Sequence, residues 1–187
     1  MIVGLCGHNG SGKNTLARML VENCNFKEYA IAQPLKNIAR TLGFTEHQLY
    51  VDKTAVHPDF KVSARTFLQT FGTEVCRDYL PKVFPGMGDV PIWLQLMLRF
   101  IRDQPVDQNI VISDVRFPDE LAALEALADE GRRLMVFQLH RPQTYDGGRD
   151  THSSEQPLTG RCLIQVHNNF DNPDHLLAQY SSLSLSS

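Results

Sequence analysis

The run Gly7-His8-Asn9-Gly10-Ser11-Gly12-Lys13-Asn14-Thr15 has the composition and spacing to hold a polyphosphate. Its glycines let the backbone approach an anion closely, and successive N–H groups on such a loop converge on phosphate oxygens. A helix that starts at the lysine adds the partial positive charge of its N-terminus. The spacing Gly7-x4-Gly12-Lys13 fits the phosphate-loop rule, in which the lysine reaches the terminal phosphates. Asn14 departs from that rule, because a Ser or Thr is expected there as a magnesium ligand. Thr15, one place later, offers a hydroxyl that substitutes in part. His8 and Asn9 are expected to contribute backbone more than side chain. The competing interpretation of the whole run is a glycine-rich turn between a strand and a helix.

Asp114 ends the apolar segment Ile110-Val111-Ile112-Ser113, at the strand end where a parallel sheet presents ligand-binding groups. A carboxylate at that place in phosphate-loop enzymes helps hold magnesium, directly or through water. Its alternatives are a helix N-cap or an ion pair with Arg116. A carboxylate and a guanidinium at one strand mouth suit magnesium plus phosphate better than either alone. Phosphoryl transfer also asks for positive charge around the moving group, and Arg65, Arg77, Arg116, Arg141 and Arg149 are the candidates. Arg141 ends a strand, and Arg149 lies in a glycine-containing flap whose closure would exclude water.

Other residues carry two meanings. His152 and Glu155 could be catalytic, but Thr151 or Ser153 as a cap with Glu155 near a helix dipole is the preferred account. Trp93 could stack a base, and its apolar neighbours favour core packing. Asn168-Asn169 could line an adenine pocket or form a turn.

Strand-like and helix-like segments alternate around these residues, which predicts an α/β fold with a mostly parallel sheet flanked by helices. Expected strands are Ile2 to Cys6, Tyr29 to Ala32, Asn109 to Ser113, Leu134 to Leu139 and Cys162 to Val166. A helix opens after the glycine loop, from Leu16 to Val21, and another from Pro34 to Gly43. Residues 45–62 look irregular. Phe67, Phe71, Val75 and Tyr79 repeat every four positions, so 64–80 is expected to be a helix with one apolar face. Gly72 inside it hints at close backbone approach, since glycine there costs about 1 kcal/mol against alanine. Pro81 to Gly86 should break the chain, and 92–102 should be a buried helix. Leu121, Leu124 and Leu127 mark a helix stopping at Gly131, and Pro173 to Tyr180 mark a closing one. Residues 142–157 should be a surface flap and 181–187 a frayed tail.

The 187 residues suggest one domain, and 42% hydrophobic content is ordinary for a globular chain. A net charge of -3 gives no sign of a nucleic-acid-coating surface. Cys6, Cys24, Cys76 and Cys162 are far apart and form no C-x-x-C, so each is expected to be a small apolar side chain in a reducing compartment. No signal peptide or membrane span is visible, and a cytosolic location with no membrane partner is expected. The apolar helix at 92–101 suits either a core or a homodimer interface.

Taken together, several segments resemble the phage deoxynucleoside monophosphate kinase family, within the wider nucleoside monophosphate kinase group. The matching pieces are Gly12-Lys13-Asn14-Thr15, Ala32-Gln33-Pro34-Leu35-Lys36 and Arg65-Thr66-Phe67-Leu68-Gln69-Thr70-Phe71-Gly72-Thr73-Glu74 with Arg77. Ser113-Asp114-Val115-Arg116-Phe117-Pro118-Asp119-Glu120 and His152-Ser153-Ser154-Glu155 complete the set, in family order. The resemblance eases the Asn14 departure, since monophosphate kinases often carry Thr one place on. It implies a single P-loop NTPase domain of three layers over 1–187, with a mobile lid at about 141–157. It further implies ATP-dependent transfer of one phosphoryl group to a deoxynucleoside 5′-monophosphate in the host cytoplasm. By that analogy Gly7 to Thr15 hold the ATP phosphates, and Thr15 and Asp114 organise Mg2+. Arg65, Gln69 and Arg77 serve the acceptor, Arg116 lies near the phosphates, and Arg141 and Arg149 serve the lid. The opening Met1 to Gly7 also resembles dephospho-coenzyme A kinase. A nucleotide-gated switch would carry the same loop, although no guanine-reading Asn-Lys-x-Asp is present.

Overall fold

The computed structural model describes residues 1–88, 90–141, 158–168 and 174–185. In chain order the elements are β1 (Ile2–Cys6), α1 (Lys13–Cys24), β2 (Phe26–Tyr29), α2 (Gln33–Thr41), α3 (Ala64–Thr70), α4 (Leu80–Val83), α5 (Ile92–Arg102), β3 (Asn109–Ile112), α6 (Pro118–Asp129), β4 (Leu134–His140), β5 (Leu163–His167) and α7 (Asp174–Leu185). Two π-helical stretches, His47–Val51 and Phe71–Tyr79, and a 3-10 turn, Pro85–Met87, lie among them. The chain forms two compact units, Met1–Ala30 with Ile101–Ser187, and Ile31–Phe100.

The first unit is an α/β fold. Its five strands are all parallel, in the order β2-β3-β1-β4-β5. Parallel strands covered on both faces read as unbroken apolar runs, and every residue of the central β1 is buried. In α1, Leu16, Ala17 and Leu20 fall on one face at helical spacing and pack with Val3, Leu5, Phe137, Leu139 and Tyr180. The helix stops where Asn25 turns left-handed at φ 54° and returns its N–H to the Leu20 carbonyl. Pro118 opens α6, and Gly131, at φ 95°, lies just beyond its end. No helix among the described residues is long and apolar enough to cross a membrane.

The second strand and the closing helix of this unit differ from their expected bounds, as do the ends of α1 and β5 by up to three residues. The second strand is Phe26–Tyr29, earlier than the predicted 29–32; it is an edge strand whose Lys27 and Glu28 face solvent, so it lacks an apolar run. The closing helix runs on to Leu185 and takes in most of the segment expected to fray.

The second unit has its own small core of Ala39, Phe44, Leu49 and Ala64, with Val62, Phe67 and Leu68 against it. Residues 45–62 are less irregular than predicted, because the π turn at 47–51 buries Leu49 completely. The helix expected over 64–80 changes character midway, with α3 passing into the π stretch 71–79. Its buried side is Ala64, Gly72 and Cys76, while Phe67, Phe71 and Val75 are half-buried and Tyr79 is exposed. Phe67 packs against the small core while Tyr79 is exposed, so the stripe does not form one core face from end to end. Phe67, Phe71 and Val75 line an open cavity of about 220 Å³ with Val62, Thr66 and Thr70. Gly72 does mark a close approach, since a Cβ there would lie 2.6 Å from Leu35 Cδ2. Its carbonyl also accepts the Trp93 indole N–H at 2.8 Å, which makes Trp93 a buried core residue. Pro81 does not break the chain where expected. It sits in the first turn of α4, where its missing N–H is tolerated, and the helix ends at Val83.

Candidate active site

The glycine loop joins the central strand β1 to α1, so its ends are held by the most deeply buried strand of the sheet and by a helix packed on it. Gly7, Gly10 and Gly12 adopt φ of 128°, 77° and 104°, a region that residues with a Cβ rarely occupy. At two of them the space is closed as well. A Cβ on Gly7 would lie 2.4 Å from the Leu139 carbonyl oxygen of β4, and one on Gly12 2.4 Å from Asn168 Nδ2. Gly12 is also the residue from which α1 starts, and its carbonyl accepts the Leu16 N–H at 3.0 Å.

Lys13 Nζ donates to the carbonyls of Gly7 at 2.6 Å and His8 at 2.7 Å, so its ammonium spans the loop. His8, Asn9 and Gly10 are exposed, while Ser11 is buried. The Ser11 N–H returns to the His8 carbonyl at 3.2 Å. Two side chains from the ends of β4 and β5 hold the loop from outside. Arg141 Nη1 donates to the Gly10 carbonyl at 3.1 Å, and Asn168 Nδ2 donates to the buried Ser11 carbonyl at 2.9 Å.

Asp114 lies two residues beyond the end of β3, the immediate neighbour of β1, and is 9% exposed. Backbone bonds fix it from both sides, with the Ser113 N–H on the Tyr29 carbonyl at 3.1 Å and the Val115 N–H on the Leu5 carbonyl at 3.0 Å. Burial, then the Asp114 charge, raise the Tyr29 phenol above its usual range. Asp114 is not the cap of α6. Glu120, 2% exposed, takes that role by accepting the N–H groups of Arg116 at 2.8 Å and Phe117 at 3.1 Å. Glu120 was missed as a supporting residue, although a glutamate three places into a Pro-opened helix is a readable signal. Arg116 is half-buried on the turn that Glu120 organises.

Thr15, half-buried in the first turn of α1, and Asp114 are oxygen donors of the kind Mg2+ takes; Asn14 is exposed. No cluster of three or more His, Cys, Asp or Glu side chains with metal-binding geometry exists among the described residues. Magnesium on phosphates needs no such cluster, since it keeps waters and uses one or two protein ligands. Arg65 and Gln69 on α3 and Arg77 in the π stretch are half-buried in the second unit. Arg149, His152, Glu155 and Asn169 lie outside the described residues. The cysteines are free thiols, and burial raises Cys6 from the ordinary 9.0 to about 11, against a smaller opposing pull from Lys13.

A parallel α/β sheet whose central strand feeds a glycine loop and helix, beside a buried strand-end carboxylate, defines the general class. No family model matches the chain. A protein of Acanthamoeba polyphaga mimivirus named "Putative deoxynucleotide monophosphate kinase" is 32% identical over 165 residues, covering 84% of this chain and 82% of that protein. The chain therefore belongs to this viral deoxynucleotide monophosphate kinase-like family. TT1252 from Thermus thermophilus, known from its crystal structure, is similar at a TM-score of 0.47 and 14% identity, covering 100% of this chain and 98% of that one.

Proposed function

We propose that this protein is an ATP-dependent kinase of deoxynucleoside 5′-monophosphates. The observation that carries the reading is the loop from Gly7 to Thr15, closed to any side chain at Gly7 and Gly12 and spanned by Lys13. The name of the mimivirus relative supports this acceptor class.

In this reading the loop N–H groups and Lys13 hold the donor phosphates, which turns Lys13 Nζ from two backbone carbonyls toward phosphate oxygens. Thr15 and Asp114 hold magnesium, which when bound offsets charge on the donor phosphates. An oxygen of the acceptor 5′-phosphate attacks the γ-phosphorus, the bond to the bridging oxygen breaks, and its electron pair leaves with ADP. The attacking oxygen is already ionised, so no general base is required. Arg116 and Arg141 stabilise charge on the transferred group. Arg65, Gln69 and Arg77 recognise the acceptor, and Arg149 assists from a lid at about 141–157. The segments shared with phage deoxynucleoside monophosphate kinases support a phage origin and action in the host cytoplasm.

The test is coupled ADP release with ATP and Mg2+ against deoxy- and ribonucleoside monophosphates and dephospho-coenzyme A. Strong stimulation by at least one deoxynucleotide is expected. Activity with dephospho-coenzyme A alone would move the acceptor class, and slow acceptor-independent hydrolysis would indicate a switch.

A further inference from the structure

Asn168 directly follows β5, and its backbone N–H is fixed on the His140 carbonyl at the end of β4, 2.8 Å away. Its side chain is 7% exposed and reaches the glycine loop, where Nδ2 donates to the Ser11 carbonyl at 2.9 Å in a buried bond. The same nitrogen lies 2.4 Å from the point where a Gly12 Cβ would stand. Asn168 therefore packs on the outer side of the Ser11–Gly12 peptide.

A trans peptide is planar, with its C=O and N–H pointing in opposite directions. A donor that holds the Ser11 carbonyl outward consequently turns the Gly12 N–H the other way. A phosphate-binding loop works through N–H groups directed at the anion, and a carbonyl swung into their place would repel it. Arg141 makes the equivalent contact one peptide earlier, on the Gly10 carbonyl. That arginine is long and exposed, whereas Asn168 is short, buried and tied to the sheet through its own backbone.

The geometry points to Asn168 as a positioning residue that presets the Ser11–Gly12 peptide for the donor polyphosphate, in place of a contact to the adenine base. The inference rests on the reading of 7–15 as a phosphate loop. It assigns the residue to the phosphate half of the nucleotide, so its loss acts on any ligand with that half, whatever the base.

Calorimetric titration of inorganic tripolyphosphate, ATP and GTP into the wild type, Asn168→Ala and Asn168→Asp tests it. For Asn168→Ala, tripolyphosphate and ATP binding should weaken by the same factor, about tenfold, with the ATP-to-GTP preference unchanged. For Asn168→Asp the ionised carboxylate has no proton to donate, so the loss should match or exceed this at pH 8. It should recover toward the wild-type value at pH 5, because burial beside the Ser11 carbonyl raises a carboxyl above its usual range and the protonated form can donate. That pH series keeps the inference testable if Asn168→Ala proves too unstable to titrate. Weakened ATP with unchanged tripolyphosphate would overturn the inference and make Asn168 a base contact. Unchanged binding of both would also overturn it. A wild type that takes up no tripolyphosphate would bring down the phosphate-loop reading as well, and is distinguishable because it fails before any substitution.

Discussion

Lys13 Nζ lies 2.6 Å from the carbonyl oxygen of Gly7, so the first residue of α1 is bonded back to the first residue of the glycine loop. One flexible ammonium thus satisfies the carbonyls at the loop's entry. On the proposed reading it would exchange them for phosphate oxygens by turning its own side chain.

Lys13→Ala should abolish nearly all phosphoryl transfer, a loss of at least about 10²-fold. The fold should survive, because Lys13 Nζ bonds to the Gly7 and His8 carbonyls and the residue belongs to neither apolar core. Coupled ADP release alongside a thermal melt checks this. Normal turnover by the folded variant would remove the loop from the active site.

Alanine substitutions in the loop should rank by what the new methyl meets. At Gly7 it meets backbone, the Leu139 carbonyl oxygen at 2.4 Å, and backbone in a central parallel pair cannot yield cheaply. Gly10 has open space and bears only the cost of its positive φ. Gly7→Ala should lose about 2 kcal/mol or more of stability, and Gly10→Ala about 1 kcal/mol. Urea unfolding gives the order, and equal losses would contradict it.

Asp114→Asn keeps the size of the side chain and removes its charge. Transfer should fall by about 10²-fold or more, with more Mg2+ needed for half-maximal rate. A variant whose magnesium dependence matches the wild type would show that Asp114 does not serve the metal.

In the second unit, Gly72→Ala sets a helix-propensity gain of about 1 kcal/mol against overpacking of Leu35, typically 1–3 kcal/mol. Overpacking should win, because both residues are buried and the contact is 2.6 Å. Net destabilisation of about 1 kcal/mol is expected. The double variant with Leu35→Ala should be less destabilised than the two single losses summed, which a double-mutant cycle measures.

Burial holds the Cys6 thiol neutral up to about pH 11 in the folded protein, while the unfolded chain ionises it near 9.0. Between those values the unfolded state binds fewer protons, so stability must fall as pH rises. The effect is about 2–3 kcal/mol if the shift is fully expressed. Urea unfolding from pH 8 to 11 should show the decline, and Cys6→Ala should flatten that part of it. An identical slope in the variant would place the proton elsewhere.

The parts of this molecule legible in its sequence are those in which one local rule decides. The run Ile110-Val111-Ile112 reads as an interior strand because both faces are covered, and Asp114 then follows from its place after the strand. Glycines at 7, 10 and 12 announce a loop that proves closed to side chains at Gly7 and Gly12. Phe26-Lys27-Glu28-Tyr29 escaped notice because an edge strand wets half its residues. The π stretch was hidden because a spacing of four lies between the α and π repeats and does not tell them apart. The contact of Asn168 with Ser11 spans 157 positions, and no local pattern encodes it. Glu120 lies between these cases, readable as a cap but not as the organiser of the Arg116 turn.

Residues 31–100 leave the sheet-bearing unit after β2 and return before β3, two strands that are direct neighbours. The whole second unit, with Arg65, Gln69 and Arg77, is therefore one uninterrupted stretch of gene. A double crossover, one at each end of that stretch, could exchange it while leaving every strand residue and the glycine loop untouched. On the proposed reading, in which Arg65, Gln69 and Arg77 serve the acceptor, such an exchange would change what is phosphorylated and leave the phosphate loop as it is.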